Sequence, residues 1–264
     1  MIRLDRGRVV FSPATPLENV ALADLDLEIP RGQFVSVIGS NGAGKSTLLN
    51  ALSGEARLTS GRVLIDETDV TGWPAAKRAQ LVARVFQDPM LGTCEGLTIE
   101  ENLAIAAARG GQRRPTLALG RNRRAEFREQ LAQLGLGLEK RLGDRMGLLS
   151  GGQRQAVSLL MATLRPAKIL LLDEHTAALD PRMSDFVLNL TRRLVERQQV
   201  TTLMVTHSMR QALDFGTRTV MLHEGKVALD VAGEERAALG VDDLVDRFAQ
   251  VRGETLDSDA LLLS

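Results

Sequence analysis

Gly39-Ser40-Asn41-Gly42-Ala43-Gly44-Lys45-Ser46 has the residue types and spacing of a loop that holds phosphate. Its glycines let backbone N–H groups turn inward with no Cβ in the way. A helix opening at Lys45 would add the positive end of its dipole. Lys45 then suits the β- and γ-phosphates of a nucleotide, and Ser46, followed by Thr47, offers a hydroxyl to Mg²⁺. A second stretch, Ile169-Leu170-Leu171-Leu172-Asp173-Glu174, supplies the acids such chemistry needs. Asp173 ends an apolar strand, at the same mouth of a sheet as the phosphate loop, and is the natural Mg²⁺ partner. Glu174 is one residue further on and points the other way, placed to polarise an attacking water as general base.

A third stretch, Leu149-Ser150-Gly151-Gly152-Gln153, suits a helix start. Ser150 can cap a helix beginning at Gly151, leaving N–H groups and a hydroxyl facing outward as a second anion site. His207 follows the apolar run that ends in Val205-Thr206, where one ring nitrogen can donate to a γ-phosphate and the other accept from a neighbour.

These residues need elements to position them. Leu22 to Ile29 alternates with period two, as a half-buried antiparallel strand does. Phe34–Ile38 reads as a buried strand, Lys45–Ser53 as a helix stopped by Gly54, and Arg62–Ile65 and Val82–Gln87 as strands. Thr98 with Glu101 spells a capping-box helix start. A basic loop is expected over 109–124, with Arg113, Arg114, Arg121, Arg123 and Arg124, before an amphipathic helix from Ala125 to Leu134. A helix over 150–165 closes at Pro166. Ile169–Leu172 reads as a central parallel strand, Phe186–Glu196 as helix and Thr201–Thr206 as strand. Glu224-Gly225 turns a hairpin, and Val241–Val251 is a last amphipathic helix before a peripheral tail from Gly253. The plan is a parallel α/β core interrupted by a long helical insert.

Composition sets limits. The 264 residues carry 33 Lys plus Arg against 33 Asp plus Glu, so no net charge draws the chain to nucleic acid. The single cysteine, Cys94, excludes an internal disulfide framework. The amino terminus lacks the apolar core of a signal peptide, and no apolar run approaches the roughly 20 residues that span a bilayer. The chain is expected to be soluble alone, with any membrane role exerted through a partner.

Leu149–Gln155 resembles the signature motif of the ABC ATPases. Gln87, in Val85-Phe86-Gln87-Asp88, is similar to the family's Q-loop glutamine. Ala178-Leu179-Asp180 resembles its D-loop, and His207 matches its switch histidine. The resemblance covers about residues 2–230. It implies a P-loop NTPase (RecA-like) α/β fold: a parallel-sheet core with an N-terminal antiparallel β subdomain over 1–88 and 166–230, an inserted α-helical subdomain over 89–165, and a C-terminal helix and tail over 231–264. It also implies ATP and Mg²⁺ as ligands, with Ser46, Gln87 and Asp173 around the ion. Two copies then sandwich two ATP molecules head-to-tail, Ser150, Gly151, Gly152 and Gln153 of one copy meeting the γ-phosphate held by the other.

Two positions depart from the family pattern. His175 follows the catalytic acid where the family usually has proline. The chain has no tyrosine, so the aromatic that often stacks on adenine is sought at Phe11. Gly143–Leu148 lacks the glycine-glutamate pattern that exporters with fused spans commonly carry. The chain looks most like the ATPase subunit of a bacterial importer, peripheral on the inner face of the cell membrane through a polytopic permease that is served by a solute-binding protein. Asp173–Thr176 and Leu160–Leu164 are similar to a subgroup with members linked to aromatic amino acids. An exporter subunit and a soluble ATPase of cofactor or cluster assembly are the alternatives.

Overall fold

The computed structural model describes residues 1–110 and 120–252. In chain order its elements begin with β1 (Ile2–Phe11), β2 (Asn19–Ile29), β3 (Phe34–Gly39), α1 (Lys45–Ser53), β4 (Ser60–Ile65), β5 (Thr68–Asp69) and α2 (Ala75–Arg78). Then come β6 (Val82–Val85), α3 (Ile99–Ala107), α4 (Arg121–Ala132), α5 (Gly151–Thr163), β7 (Ile169–Asp173) and α6 (Pro181–Gln198). The chain finishes with β8 (Thr201–Val205), α7 (Met209–Asp214), β9 (Arg218–His223), β10 (Lys226–Ala232), α8 (Gly233–Ala237) and α9 (Val241–Arg252). Contacts divide it into two compact units, Met1–Arg78 with the chain from Val200 on, and Ala79–Gln199.

The first unit carries an antiparallel sheet in the order β2-β1-β4-β5. In β2 the residues from Leu22 to Ile29 bury Leu25, Leu27 and Ile29 and expose the acids between them, the alternation the sequence shows. β1 is an inner strand that period-two reading passes over, because register shifts between Leu4, Gly7, Val9 and Val10 break its alternation. The same unit holds the run β10-β9-β3-β8, with β3 parallel to both β8 and β9. Every residue of β3 is buried, which is why its sequence is almost continuously apolar. Glu224 (φ +47°) and Gly225 (φ +73°) give the β9–β10 hairpin the paired positive φ of a type I′ turn. Leu244 and Phe248 of α9 pack over Met209, Ala212, Met221 and Ile38, the residue just before the phosphate loop. A fully buried side chain of that size contributes about 2 kcal/mol.

Arg78 is buried at 2% exposure and closes the far end of α1. It donates to the carbonyls of Ala51, Leu52 (3.2 Å), Val70 (3.0 Å) and Thr71 (2.9 Å). Cationic donors there satisfy carbonyls with no helical partner and offset the dipole.

In the second unit β6 and β7 pair in parallel, Val82 opposite Ile169 through Val85 opposite Leu172. Thr98 and Glu101 form the expected capping box at α3, with the Thr98 N–H donating to Glu101 at 2.7 Å. The basic loop needs correction. Arg121, Arg123 and Arg124 lie on α4, and Arg124 pairs with Glu100 at 2.7 Å. Arg109 donates to the carbonyls of Ala162 and Arg165 at the end of α5. Arg113, Arg114 and the tail from Gly253 fall outside the described residues. α6 starts at Pro181, earlier than expected, because Asp180-Pro181 is an N-cap followed by an N1 proline. Among the described residues no helix is long and apolar enough to cross a membrane.

Candidate active site

In the first unit the phosphate loop leaves the end of β3, and its conformation rests on glycine at two ends. Gly39 has φ +149°, and a Cβ there would lie 2.3 Å from the carbonyl oxygen of Leu222. Gly44, the N-cap of α1, has φ +101°, and a Cβ would lie 2.5 Å from the carbonyl oxygen of Ala21. Between them, Ala43 donates to the Ser40 carbonyl (3.1 Å) and accepts from the Gly225 N–H (3.1 Å), so the hairpin turn braces the loop. Lys45 is 6% exposed, and its ammonium donates to the carbonyls of Gly39 (2.7 Å) and Ser40 (3.0 Å). Asn41, Gly42 and Ser46 are exposed, and Thr47 is half-buried. The loop therefore presents backbone N–H groups, a cation and a hydroxyl at one helix N-terminus.

His207 follows β8, the strand beside β3, so it leaves the same carboxyl edge as the phosphate loop. It is half-buried. Thr206 next to it donates to Gln211 (2.8 Å), and Ser208 caps α7, a helix the sequence reading missed although Ser208 with Gln211 is its start signal. Phe11 ends β1 and is 45% exposed, so it is a surface aromatic and not a core one.

The second unit gathers the acids and the signature. Asp173 ends the fully buried β7. Its carboxylate accepts from Arg84 of β6 at 2.7 Å, a partner that sequence reading did not single out because it lies on another strand. Glu174 follows with φ +44°, in the left-handed region that residues with a Cβ rarely occupy. His175 is 2% exposed and its Nε2 lies 3.0 Å from the Thr191 hydroxyl. Burial pushes its pKa down to about 4, so the ring is neutral at ordinary pH.

Ser150 caps α5 as expected. Its hydroxyl accepts from the Gln153 N–H (3.3 Å), and Gln153 reaches back to accept from the Ser150 N–H (3.2 Å), a reciprocal box that the bare motif conceals. Ser150 and Gly151 are exposed. Gly152 is buried where a Cβ would meet the Met183 side chain at 2.6–3.1 Å, so the glycine lets α5 approach α6 closely. Gln155 of α5 donates to the Phe86 carbonyl (3.2 Å), holding the backbone just before the exposed Gln87. Asp180 is exposed and accepts from the Met183 N–H (3.1 Å) as the cap of α6.

No group of three or more His, Cys, Asp or Glu that could hold a metal occurs among the described residues. Ser46, Gln87 and Asp173 each carry an oxygen donor of the kind suited to Mg²⁺. It is a hard cation that takes one or two protein carboxylates and fills its octahedron with phosphate oxygens and water.

The family model described as ABC transporter matches residues 22–177. A tyrosine transport ATP-binding protein of Clostridioides difficile (strain R20291) is 46% identical over 230 residues, covering 87% of this chain and 91% of that protein. A thiamine import ATP-binding protein of Chelativorans sp. (strain BNC1) is 40% identical over 208 residues, 78% of this chain and 79% of that protein. A solved dimer of an ATP-binding cassette, in a post-hydrolysis state bound to ADP and Pi, superposes with a TM-score of 0.76 at 28% identity. It covers 88% of this chain and 98% of that one. The chain belongs to the ABC transporter family, as an ATP-binding and ATP-hydrolysing subunit.

Proposed function

We propose that this chain drives an importer of a small organic solute, with an amino acid such as tyrosine as the first candidate. Two copies close head-to-tail on two MgATP, and closure and reopening move a polytopic membrane permease. That permease keeps the chain at the inner face of the cell membrane, and a solute-binding protein delivers the solute to it from the other side. The observation that carries the reading is the 46% identity, over 87% of the chain, to a protein named for tyrosine transport.

The roles follow from the chemistry of each group. Backbone N–H groups from Gly39 to Gly44 and the Lys45 ammonium hold the β- and γ-phosphates, and Thr47 adds a hydroxyl at the start of α1. Ser46, Gln87 and Asp173 offer oxygens to Mg²⁺. When bound, the ion offsets negative charge on the phosphates. Glu174 takes a proton from the attacking water as general base, and His207 donates to the γ-phosphate. Ser150, Gly151, Gly152 and Gln153 present a second helix N-terminus to the nucleotide held by the other copy. Asp180 orders the chain beside that interface, and Phe11 stacks on adenine.

Uptake of labelled tyrosine by cells with and without the chain tests the reading. Uptake should fall when the chain is removed, return with the parent chain, and stay low with Glu174→Gln. Unchanged uptake on removal would overturn the solute, and full rescue by Glu174→Gln would overturn the base.

A further inference from the structure

We propose that the hydrogen bond from His175 to Thr191 is a strut that sets the Glu174 carboxylate for attack, making His175 a positioning residue for hydrolysis. The proposal rests on the reading of Glu174 as general base. Glu174 has φ +44°. A residue with a Cβ stays in that region only when its surroundings over-determine it. Both sides of Glu174 are fixed. Before it, Asp173 is the last residue of a strand buried along its whole length, and its carboxylate pairs with Arg84. After it, His175 is buried at 2% exposure, and the Glu174 carbonyl accepts from the Ala177 N–H at 3.0 Å to close a turn.

The hydrogen-bond directions fix the tautomer of His175. The Thr191 hydroxyl donates its one hydrogen to the Val187 carbonyl (2.9 Å), four residues back on the same helix. Its oxygen is then an acceptor, so the His175 Nε2, 3.0 Å away, carries the proton and donates. The anchor is itself firm. Thr191 has 0% exposure in the middle of the eighteen-residue α6, whose start is capped by Asp180 and led by Pro181. A buried imidazole thus ties the residue after the base to a rigid helix. Only a side chain that reaches from that backbone and donates to Thr191 can do the same.

Hydrolysis by the full-length chain at saturating MgATP tests this. Thr191→Val removes the acceptor at nearly constant shape, and His175→Leu removes the donor. Each should lower kcat about 10-fold, the scale on which outer partners of a site act, with KM for ATP unchanged. The double variant should be no slower than either single one. His175→Gln, which places a donor near the Nε2 position, and Thr191→Ser, which keeps the hydroxyl, should stay near the parent kcat. Parent-level kcat in Thr191→Val, or strictly additive losses, would overturn the strut. So would His175→Gln being as slow as His175→Leu at the parent melting temperature. If His175→Leu does not fold, the Thr191 pair decides alone. Glu174→Gln separates the two readings. Near-parent hydrolysis in that variant removes the base assignment, whereas its inactivity beside a fully active Thr191→Val removes the strut alone.

Discussion

The Arg84 guanidinium lies 2.7 Å from the Asp173 carboxylate, and the two side chains are only 10% and 13% exposed. The pair joins neighbouring strands at the point where β7 delivers its acids. Arg84 also lies over the Phe86 ring, its guanidinium carbon 4.7 Å from the centroid, so one cation steadies both the proposed Mg²⁺ ligand and the segment leading to Gln87.

Removing one member of a mostly buried pair leaves the other uncompensated, at a cost of about 3 kcal/mol. Arg84→Met should therefore melt several degrees below the parent without divalent cation. If Asp173 holds Mg²⁺ as proposed, MgATP should recover part of the loss in the variant, because the ion then offsets the charge of the carboxylate. Thermal melts with and without MgATP check this. Equal melting of variant and parent in the absence of cation would show that the pair contributes nothing.

The phosphate loop gives a graded series. Gly39→Ala and Gly44→Ala place a Cβ against the backbone oxygens of Leu222 and Ala21, which have no side-chain freedom with which to move. Both should lose nucleotide binding and melt lower. Gly42 (φ +78°) has nothing within 4 Å of the added Cβ, so Gly42→Ala should cost only the backbone strain of about 1–2 kcal/mol. Calorimetric titration with an ATP analogue and melting curves order the three. Binding by Gly44→Ala as tight as by Gly42→Ala would contradict the geometry.

Much of this was legible because the determinants are local. The loop from Gly39 to Ser46 needs glycine for conformation and lysine for charge. The helix at Gly151 needs a cap, and Ile169–Leu172 needs two covered faces. The structure carries all three in the expected elements. The features that escaped reading are pairwise and distant in sequence. Arg84 meets Asp173 only through strand pairing, and His175 meets Thr191 only because α6 folds beside it. β1 escaped for another reason, since its irregular register around Gly7 erases the period-two signal. Arg78 was not singled out, because nothing local shows that it caps α1.

That cap is itself testable. Arg78→Met keeps much of the aliphatic stem but leaves buried carbonyls at the end of α1 without a donor. An unsatisfied buried group costs about 1–3 kcal/mol, so the variant should unfold at clearly lower denaturant concentration. An unchanged midpoint would mean that other groups satisfy those carbonyls.

At α3 the Thr98 N–H and hydroxyl hold the Glu101 carboxyl below its usual value of 4.5. A depressed carboxylate stabilises the folded state above its unfolded pKa, and that contribution fades as pH falls through the folded value. Glu101→Gln keeps an acceptor oxygen but does not titrate. Protection of the Thr98 and Glu101 amides against exchange should fall in acid for the parent and stay flatter in the variant. Identical acid profiles would detach the cap from this carboxyl.

Ser150 caps an exposed helix start, and Lys45 is held in the loop at another. If each ATP needs the Lys45 of one copy and the Ser150 of the other, Lys45→Ala and Ser150→Arg each remove both sites of a symmetric dimer. Mixing the two variants changes the count. A mixed dimer has one site carrying both lesions and one with neither. Random pairing makes half the dimers mixed, so about a quarter of the parent's sites return. Hydrolysis should therefore reappear on mixing two inactive preparations. Ser150→Asn supplies the control, because asparagine also caps and should preserve the melting temperature. Parent-level hydrolysis by Ser150→Arg alone would mean that the signature serine takes no part in the site.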